Sequence, residues 1–336
     1  MTYKMPPEWD KHERTWIAFP HSGYTLGETA TDQDKARETW ANVANAASNF
    51  EKVTAVVHPE DLATAKKLFS SQIEIFDQVI DDAWIRDSGP TFVKTDSGNL
   101  AAVNWVFNGW GAQEWASFEN DNKIAGSIAN FLRIEQVDSG MVNEGGGIHV
   151  NGQGQVLLTE TVQLDPRRNA NWTKEQVQQE LARTIGVSDF VWLKRGLTRD
   201  YDEFGTRGHV DIVACYLPDQ RVLFHDQKDQ KHPDFLVSAA TKKQLESVER
   251  ELVSLPAPTT LKDFGGFVDY SYVNHYVLND AVLLGSFDDQ NDKEAQAILR
   301  DCYPGREVVL IDARELFARG GGIHCITQQQ PEASAS

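Results

Sequence analysis

The strongest constraint on the fold is a regular recurrence of paired strands along the chain. Four apolar segments start near residues 90, 148, 210 and 274, at intervals of 58, 62 and 64 residues. Each turns through Gly, Pro, Asn or Asp into a second apolar segment, as in a hairpin. Segments with helical spacing of apolar residues lie between the pairs. The recurrence therefore predicts a repeated ββαβ unit of nearly constant length.

A fifth unit would join the two ends of the chain. A last strand is expected at 323–327 with no hairpin partner after it, and its natural partner is the apolar segment 16–19. That pairing would close a ring, so we predict an α/β fold, a five-bladed pseudo-symmetric propeller in one catalytic domain over residues 1–330. Residues 331–336 are expected to form a disordered tail. An ordinary open α/β sheet of mixed strand order is the alternative.

A short internal repeat supports equivalent units and directs attention to the positions where the copies differ. Residues 144–150 and 319–325 share five consecutive residues, Gly-Gly-Gly-Ile-His. Glycine runs before a strand allow close backbone approach, so the shared residues are expected to be architectural. The ends differ, because one copy starts with Glu144 and the other ends with Cys325. These two residues are candidates for chemistry.

Further polar residues stand where the predicted units begin, and equivalent positions in a closed ring converge on one axis. His209 and Asp211 are two residues apart, so in a strand their side chains would face the same side. Cys215 and Cys302 lie in apolar surroundings and are expected to be core residues. The polar residues at the unit starts are Asp87, Glu144, His209, Asp211, Asn274 and Cys325.

A thiol, a histidine and several carboxylates in one site suggest thiol attack on a guanidinium carbon. Carboxylates near a thiolate raise its pKa and oppose attack unless a cation lies between them. A planar guanidinium is such a cation, and it pairs with carboxylates through two parallel hydrogen bonds.

Seven stretches, running almost end to end, carry a resemblance to a known family: 7–16, 84–90, 104–111, 144–150, 208–211, 304–309 and 320–331. In these stretches the sequence resembles the agmatine deiminase and bacterial peptidylarginine deiminase-like family of the guanidine-modifying superfamily. The resemblance implies a five-bladed α/β propeller, Cys325 as nucleophile, His209 as general acid and base, and Asp87 and Asp211 as guanidinium carboxylates, with Glu144 beside His209. It implies no metal and no organic cofactor. We add these candidate substrate-binding residues: Trp84, Trp110, Arg207, Asn274, Gly320, Gly321 and Gly322.

The expected reaction is that of a guanidine hydrolase, converting agmatine and water to N-carbamoylputrescine and ammonia, a step of polyamine biosynthesis, through a covalent Cys thiouronium. Deimination of arginine or a peptidylarginine-like substrate is an alternative, as is amidino transfer on the same fold. The chain has Gly147, Ile212 and Gly322 where the family pattern has Ser, Asn and Asn, which leaves the substrate tail open. Arg207 would favour a carboxylate-bearing tail, whereas the acidic balance favours a cationic one.

Two other functions are alternatives to guanidine hydrolysis. One is a metallohydrolase built on His209, Asp211, His149 and His324, and the other is a non-catalytic binding propeller.

The formal net charge of −18 argues against a general nucleic-acid binder. No apolar stretch approaches membrane-spanning length, no signal peptide is recognised, and three cysteines are too few for a disulfide scaffold, so a cytoplasmic location is expected. The expected partner is a small cationic guanidine, without nucleic acid or membrane, and a homodimer is the assembly considered.

Overall fold

The strands of this α/β protein form small sheets separated by helices. The computed structural model describes residues 2–334, and within that range there are six sheets of two to four strands. The strands are β1 Tyr3–Lys4, β2 His12–Ala18, β3 Val53–Val57, β4 Glu74–Asp77, β5 Thr91–Thr95, β6 Leu100–Val106, β7 Glu135–Val142, β8 Ile148–Val150, β9 Gln155–Thr159, β10 Asp189–Leu193, β11 Ala214–Tyr216, β12 Val222–Asp226, β13 Leu252–Pro256, β14 Lys262–Asp263, β15 Gly266–Phe267, β16 Tyr276–Val277, β17 Ala281–Ser286, β18 Glu307–Asp312 and β19 Thr327–Pro331.

The helices fall between these strands, and several are single turns. They are α1 Gly23–Leu26, α2 Ala30–Ala47, α3 Leu62–Leu68, α4 Ile85–Ser88, α5 Gly109–Ala112, α6 Ile124–Leu132, α7 Glu160–Gln163, α8 Lys174–Ile185, α9 Asp234–Leu245, α10 Asp292–Cys302 and α11 Arg314–Ala318. Short 3-10 helices cover Pro59–Asp61, Asp121–Lys123, Gly145–Gly147, Arg199–Tyr201, Val210–Ile212, Glu246–Val248 and His324–Ile326. No helix within residues 2–334 has both the length and the apolar character needed to cross a membrane.

The predicted repeating unit is confirmed in four of the sheets. In each, two consecutive strands pair antiparallel, and the second then pairs in parallel with a strand that follows a helical crossover. A crossover is required because parallel neighbours cannot be joined by a tight turn. The four units are β5–β6–β7, β8–β9–β10, β11–β12–β13 and β16–β17–β18.

The predicted pairing of the two chain ends is also confirmed, with a shifted start. Strand β19 pairs antiparallel with β2, and Thr327 lies opposite Ile17. The strand begins at Thr327 rather than at 323, because residues 324–326 form a 3-10 helix. After α2, strand β3 pairs in parallel with β2. This fifth sheet therefore has the same antiparallel-then-parallel order as the other four.

The first residues of the predicted disordered tail are ordered in the structure. Pro331 is buried in β19. The Glu332 N–H then donates to the Lys11 carbonyl at 2.9 Å, and the Ser334 N–H donates to the Gly98 carbonyl at 3.0 Å. These backbone bonds hold the segment against neighbouring loops. Residues 335–336 of the expected tail lie outside the described residues.

The expected strand over 209–217 is also shortened, to β11. The Asp200 carboxylate accepts the backbone N–H groups of Gly208 at 2.5 Å and His209 at 3.2 Å. Side-chain capture of backbone donors competes with strand pairing. Residues 210–212 consequently form a 3-10 helix that leads into the strand.

The contact between the chain ends generates a stability prediction. The fully buried Trp16 indole donates to Gln330 Oε1 at 3.0 Å, joining β2 to β19. In Trp16→Phe that oxygen stays buried without its donor, so the free energy of unfolding should fall by about 1–3 kcal/mol beyond the loss from ring contraction. The matched control is Trp192→Phe, because Trp192 Nε1 is buried without a partner among residues 2–334. The free energies of unfolding are measured by urea denaturation. Equal losses in the two variants would contradict the prediction.

Candidate active site

Short turns at the starts of the repeating units carry the polar candidates into one buried cluster. Helix α4 precedes β5, and 3-10 helices precede β8, β11 and β19. In a strand, successive side chains diverge to opposite faces, whereas one turn can direct its side chain and its backbone N–H groups to the same place. The five predicted catalytic residues are each at most 5% exposed: Cys325, His209, Asp211, Asp87 and Glu144.

The open side of Gly146 marks the point where three of these side chains converge. A Cβ atom built on Gly146 would lie 2.5 Å from His209 Nδ1, 3.0 Å from Asp211 Oδ2 and 3.1 Å from Asp87 Oδ1. Any side chain at this position would collide with the polar atoms. The glycine of the repeated motif therefore keeps open a small space between two carboxylates and an imidazole.

His209 lies between two carboxylates that favour its charged form. Its Nε2 is 3.3 Å from Glu144 Oε2, and its Nδ1 is 3.8 Å from Asp87 Oδ1. Burial alone would lower the pKa of His209, but these negative charges outweigh it and raise the pKa to about 9. The imidazole is therefore protonated at neutral pH, and its Nδ1 faces the space beside Gly146.

Glu144 is held by an arginine that sequence reasoning did not single out. Arg168 Nε lies 2.9 and 3.0 Å from the two carboxylate oxygens of Glu144, and both side chains are fully buried. Burial opposes ionisation, yet the charges of Arg168 and His209 hold the pKa of Glu144 below its usual value. Arg168 follows a short Asp-Pro-Arg segment with no periodic pattern, so the sequence carried no local signal for this contact.

Asp87 is fixed by two neutral donors. The Trp110 indole N–H donates to Oδ2 at 2.8 Å, and the Gly146 backbone N–H donates to Oδ1 at 3.1 Å. Trp110 has a φ of 54°, a left-handed conformation that is costly for a bulky residue and that turns the indole towards Asp87. Burial raises the pKa of Asp87 above its usual value despite the nearby imidazolium of His209.

The Cys325 thiol lies beside Asp211, with its Sγ 3.6 Å from Asp211 Oδ2. The Asn274 amide and the Gly322 backbone N–H donate to the sulfur at 3.3 and 3.4 Å. Burial and the carboxylates of Asp211 and Asp87 nevertheless raise the pKa of the thiol well above its usual value. Cys325 is therefore a thiol, not a thiolate, when no cation occupies the site.

Asp211, the aspartate next to the sulfur, is held by a hydrogen bond from His324. His324 Nδ1 lies 2.9 Å from Asp211 Oδ2, whereas Asp211 Oδ1 has no hydrogen-bond partner in the described part of the chain. Burial would raise the pKa of Asp211, but the hydrogen bond and charge of His324 lower it below its usual value. The carboxylate is therefore ionised and retains an oxygen with capacity to accept another donor.

Most of the predicted substrate-binding residues border this cluster. A Cβ built on Gly321 would lie 2.6 Å from the Trp84 ring and 3.1 Å from Cys325 Sγ, so the glycine leaves space beside the nucleophile. Asn274 contacts both the sulfur and, through Oδ1, the backbone N–H of His324 at 3.0 Å. Gly320 has a φ of 107°, which a residue with a side chain rarely adopts.

The structure does not bring Arg207 together with the other candidates. Its side chain lines a surface cleft of about 450 Å³ with Arg167 and Lys194, and none of the five predicted catalytic residues lines that cleft. Burial and neighbouring arginines lower the pKa of Arg207.

An aromatic layer separates the cluster from a second surface cleft. Trp110 stacks on Trp115, with ring centroids 5.3 Å apart, and Tyr24 stacks on Phe204 at 3.5 Å. Trp115 and Tyr24 also line the cleft, which has a volume of about 590 Å³. Its other lining residues include the acidic side chains Glu28, Asp32 and Glu315, with Arg319.

Comparisons with known proteins find relatives that match this chain over nearly its whole length. The chain is 48% identical over 338 residues to a protein of Streptomyces coelicolor provisionally named as an agmatine deiminase, covering 98% of this chain and 99% of the relative. It is 34% identical to the agmatine deiminase of Stutzerimonas stutzeri, covering 98% and 95%. The solved agmatine deiminase of Enterococcus faecalis superposes with a TM-score of 0.91 at 28% identity, covering 98% of this chain and 96% of the other.

The sequence also matches the family described as Porphyromonas-type peptidyl-arginine deiminase over residues 4–331. This match covers nearly the whole chain, including each turn that carries a candidate side chain. The protein therefore belongs to the Porphyromonas-type peptidyl-arginine deiminase family.

Proposed function

We propose that this protein is an agmatine deiminase, a hydrolase that converts agmatine and water to N-carbamoylputrescine and ammonia. The observation that carries the proposal is the space beside Gly146, where two carboxylates and an imidazole meet next to a thiol. The names of the relatives support agmatine as the substrate. The proposal includes a single domain over 1–330 in which the five similar sheets are the blades of one propeller.

In the proposed complex, the guanidinium lies between Asp87 and Asp211 and donates to their carboxylate oxygens. Asp211 Oδ1 is unpartnered within residues 2–334, and Asp87 has only the distant imidazole as a charge partner. The positive charge of the substrate also stabilises the thiolate of Cys325, since an adjacent cation lowers a thiol pKa. The thiol proton leaves to solvent as the substrate binds.

The thiolate sulfur then forms a bond to the guanidinium carbon. His209 Nδ1–H transfers its proton to one amino group, and the carbon–nitrogen bond breaks to release ammonia. An S-alkylthiouronium and a neutral imidazole remain. His209 next takes a proton from water, hydroxide adds to the carbon, and the carbon–sulfur bond breaks. The ureido product leaves, its extra proton passes to ammonia, and the thiolate takes a proton from solvent to restore the thiol. In this scheme Glu144 holds His209 Nε2 and favours its protonated form.

The tail of agmatine carries an ammonium, for which the ring faces of the stacked Trp110 and Trp115 beside Asp87 offer complementary groups. Arg207, the residue that would have favoured a carboxylate tail, lines a separate surface cleft. These observations favour agmatine over arginine and peptidylarginine. The metallohydrolase alternative is disfavoured because His324 uses both ring nitrogens on carboxylates.

The proposal is tested with a panel of guanidines that includes agmatine, arginine and a peptidylarginine. Ammonia and the ureido product are measured with and without added amines. We expect the highest kcat/KM for agmatine and equal amounts of the two products. A preference for arginine would contradict the substrate assignment, and a product that requires an added amine would indicate amidino transfer.

The nucleophile is tested by Cys325→Ala, which should abolish turnover because it removes the sulfur beside Asp211. Cys302→Ala is the matched control, since this buried thiol lies at the end of helix α10, and it should retain activity. Cys215→Ala should also retain activity, although Cys215 borders the internal cavity behind Asp211. Mass spectrometry of acid-quenched wild-type enzyme should detect the thiouronium on the peptide containing Cys325. Turnover by Cys325→Ala with native circular dichroism would contradict the mechanism.

The pKa of His209 generates a prediction for the pH profile. The imidazolium is present below about pH 9 and is lost as the pH rises through that value, so kcat/KM should fall on the alkaline side near pH 9. Glu144→Gln removes one of the charges that raise this pKa and should move the alkaline limb to lower pH. Glu135→Gln, on an exposed strand position, is the control and should leave the profile in place. An unchanged limb in Glu144→Gln would refute this origin of the shift.

The space beside Gly146 is tested by adding one methyl group. Gly146→Ala places a carbon where the guanidinium should bind and should lower kcat/KM by roughly 100-fold or more, because small displacements of reacting groups cost that much. Gly140→Ala is the control, since a Cβ at Gly140 meets nothing within 4 Å. Wild-type kinetics in Gly146→Ala would mean that the guanidinium binds elsewhere.

A further inference from the structure

The two histidines of the internal repeat meet at one buried carboxylate that the proposed reaction does not use. Glu8 is 5% exposed. Its Oε1 is 2.8 Å from His324 Nε2, and its Oε2 is 3.9 Å from His149 Nε2. Identical Gly-Gly-Gly-Ile-His segments thus deliver one imidazole each to opposite oxygens of the same side chain.

The two imidazoles nevertheless have opposite hydrogen-bonding roles. His324 has a carboxylate oxygen at each ring nitrogen, Asp211 at 2.9 Å and Glu8 at 2.8 Å. An ionised carboxylate only accepts, so both ring nitrogens of His324 must donate. By contrast, His149 Nδ1 accepts the backbone N–H of Tyr216 at 3.2 Å, so that nitrogen carries no proton.

We propose that Glu8 is a positioning residue that holds His324 as a doubly protonated imidazolium, and that this buried cation fixes Asp211 for guanidinium binding. The first half stands on geometry alone, and the second half rests on the proposed function. Neither Glu8 nor His324 touches the proposed substrate position, so both act through Asp211.

The cation serves Asp211 in two ways. It donates to Oδ2, which fixes the carboxylate while Oδ1 remains unpartnered within the described chain. It also offsets part of the negative charge that acts on Cys325 Sγ, 3.6 Å from the same Oδ2. Loss of the cation should therefore weaken substrate binding and make the thiolate harder to form.

Arg86 is the other cation close to His324. Its Nη1 lies 3.4 Å from Glu8 Oε1, and its Nε donates to the His324 carbonyl at 3.2 Å. Its charge contributes less than that of His324 to the lowered pKa of Asp211, and it opposes the protonation of His324. Burial lowers the pKa values of His149 and His275 to about 4, so both are neutral at pH 7. Burial alone would lower the pKa of His324, but Glu8 and Asp211 raise it above the usual value.

The surroundings shield this arrangement from bulk solvent. Glu8, His149, Asp211, His275 and His324 line an internal cavity of about 10 Å³, which is space for at most one water molecule. Charge interactions are stronger in such an enclosed site than at the surface. The enclosure therefore strengthens the pairing of His324 with its two carboxylates.

Protonation is tested directly by long-range ¹H–¹⁵N correlation spectra of histidine-labelled wild-type protein between about pH 6 and pH 8. The His324 signals are assigned by their loss in His324→Gln and independently by their shift in Glu8→Gln. We expect two protonated nitrogens for His324 and one unprotonated nitrogen for His149. A neutral His324 in this range would overturn the inference whether or not agmatine is a substrate.

The consequence for Asp211 is tested by kinetics with agmatine. Glu8→Gln keeps the shape but removes the charge, so KM should rise by roughly tenfold, and the alkaline limb of kcat/KM should move to lower pH as His324 loses its proton earlier. Glu8→Asp should restore part of the wild-type profile, and His149→Gln is the matched control, with kinetics close to wild type. Equal effects of Glu8→Gln and His149→Gln would indicate a merely structural role and overturn the positioning role.

Discussion

The burial of several carboxylates at one point is the constraint on which the rest of the structure depends. Glu8, Asp87, Glu144 and Asp211 are all at most 5% exposed, and an unpaired buried charge costs several kcal/mol. Glu144 has Arg168, and Asp211 has His324. Asp87 alone has neutral donors and a histidine at 3.8 Å, and its pKa is raised. Asp87 is therefore the most weakly compensated of the four carboxylates, and a guanidinium would bring a positive charge to it.

The fold meets this constraint with short helical turns, which carry the buried polar side chains to the cluster. Helix α4 and the 3-10 helices over 145–147, 210–212 and 324–326 each come shortly before a strand. Backbone N–H groups in or beside two of these turns act as donors, from Gly146 to Asp87 and from Gly322 to Cys325. Neutral backbone donors stabilise negative charge without adding a competing cation.

Much of this arrangement could be predicted from the sequence, because spacing and residue type encode it. Strand recurrence predicts the repeating unit and the pairing of the chain ends, and Asp87 just before one predicted strand and Cys325 within another indicate a shared site. The turns at 210–212 and 324–326 were expected as strands, and at 210–212 the side-chain capture of backbone donors by Asp200 has no periodic signature. The sequence did not indicate roles for Arg168 and Glu8, because their contacts join segments that are distant along the chain. Arg207 was selected for its position in the sequence, but its side chain lines another cleft.

In the proposed reaction, the electrostatics of the cluster explain how a buried thiol can be both stable and reactive. Without a ligand, burial and two aspartates keep Cys325 protonated, while His209, with a pKa of about 9, holds the proton that the leaving group would need. A neutral molecule in the same space would leave both protonation states unchanged. A planar cation between the aspartates would favour the thiolate and leave the imidazolium in place. Selectivity for guanidines over neutral ureas would then arise from charge, and the neutral ureido product would no longer stabilise the thiolate beside it.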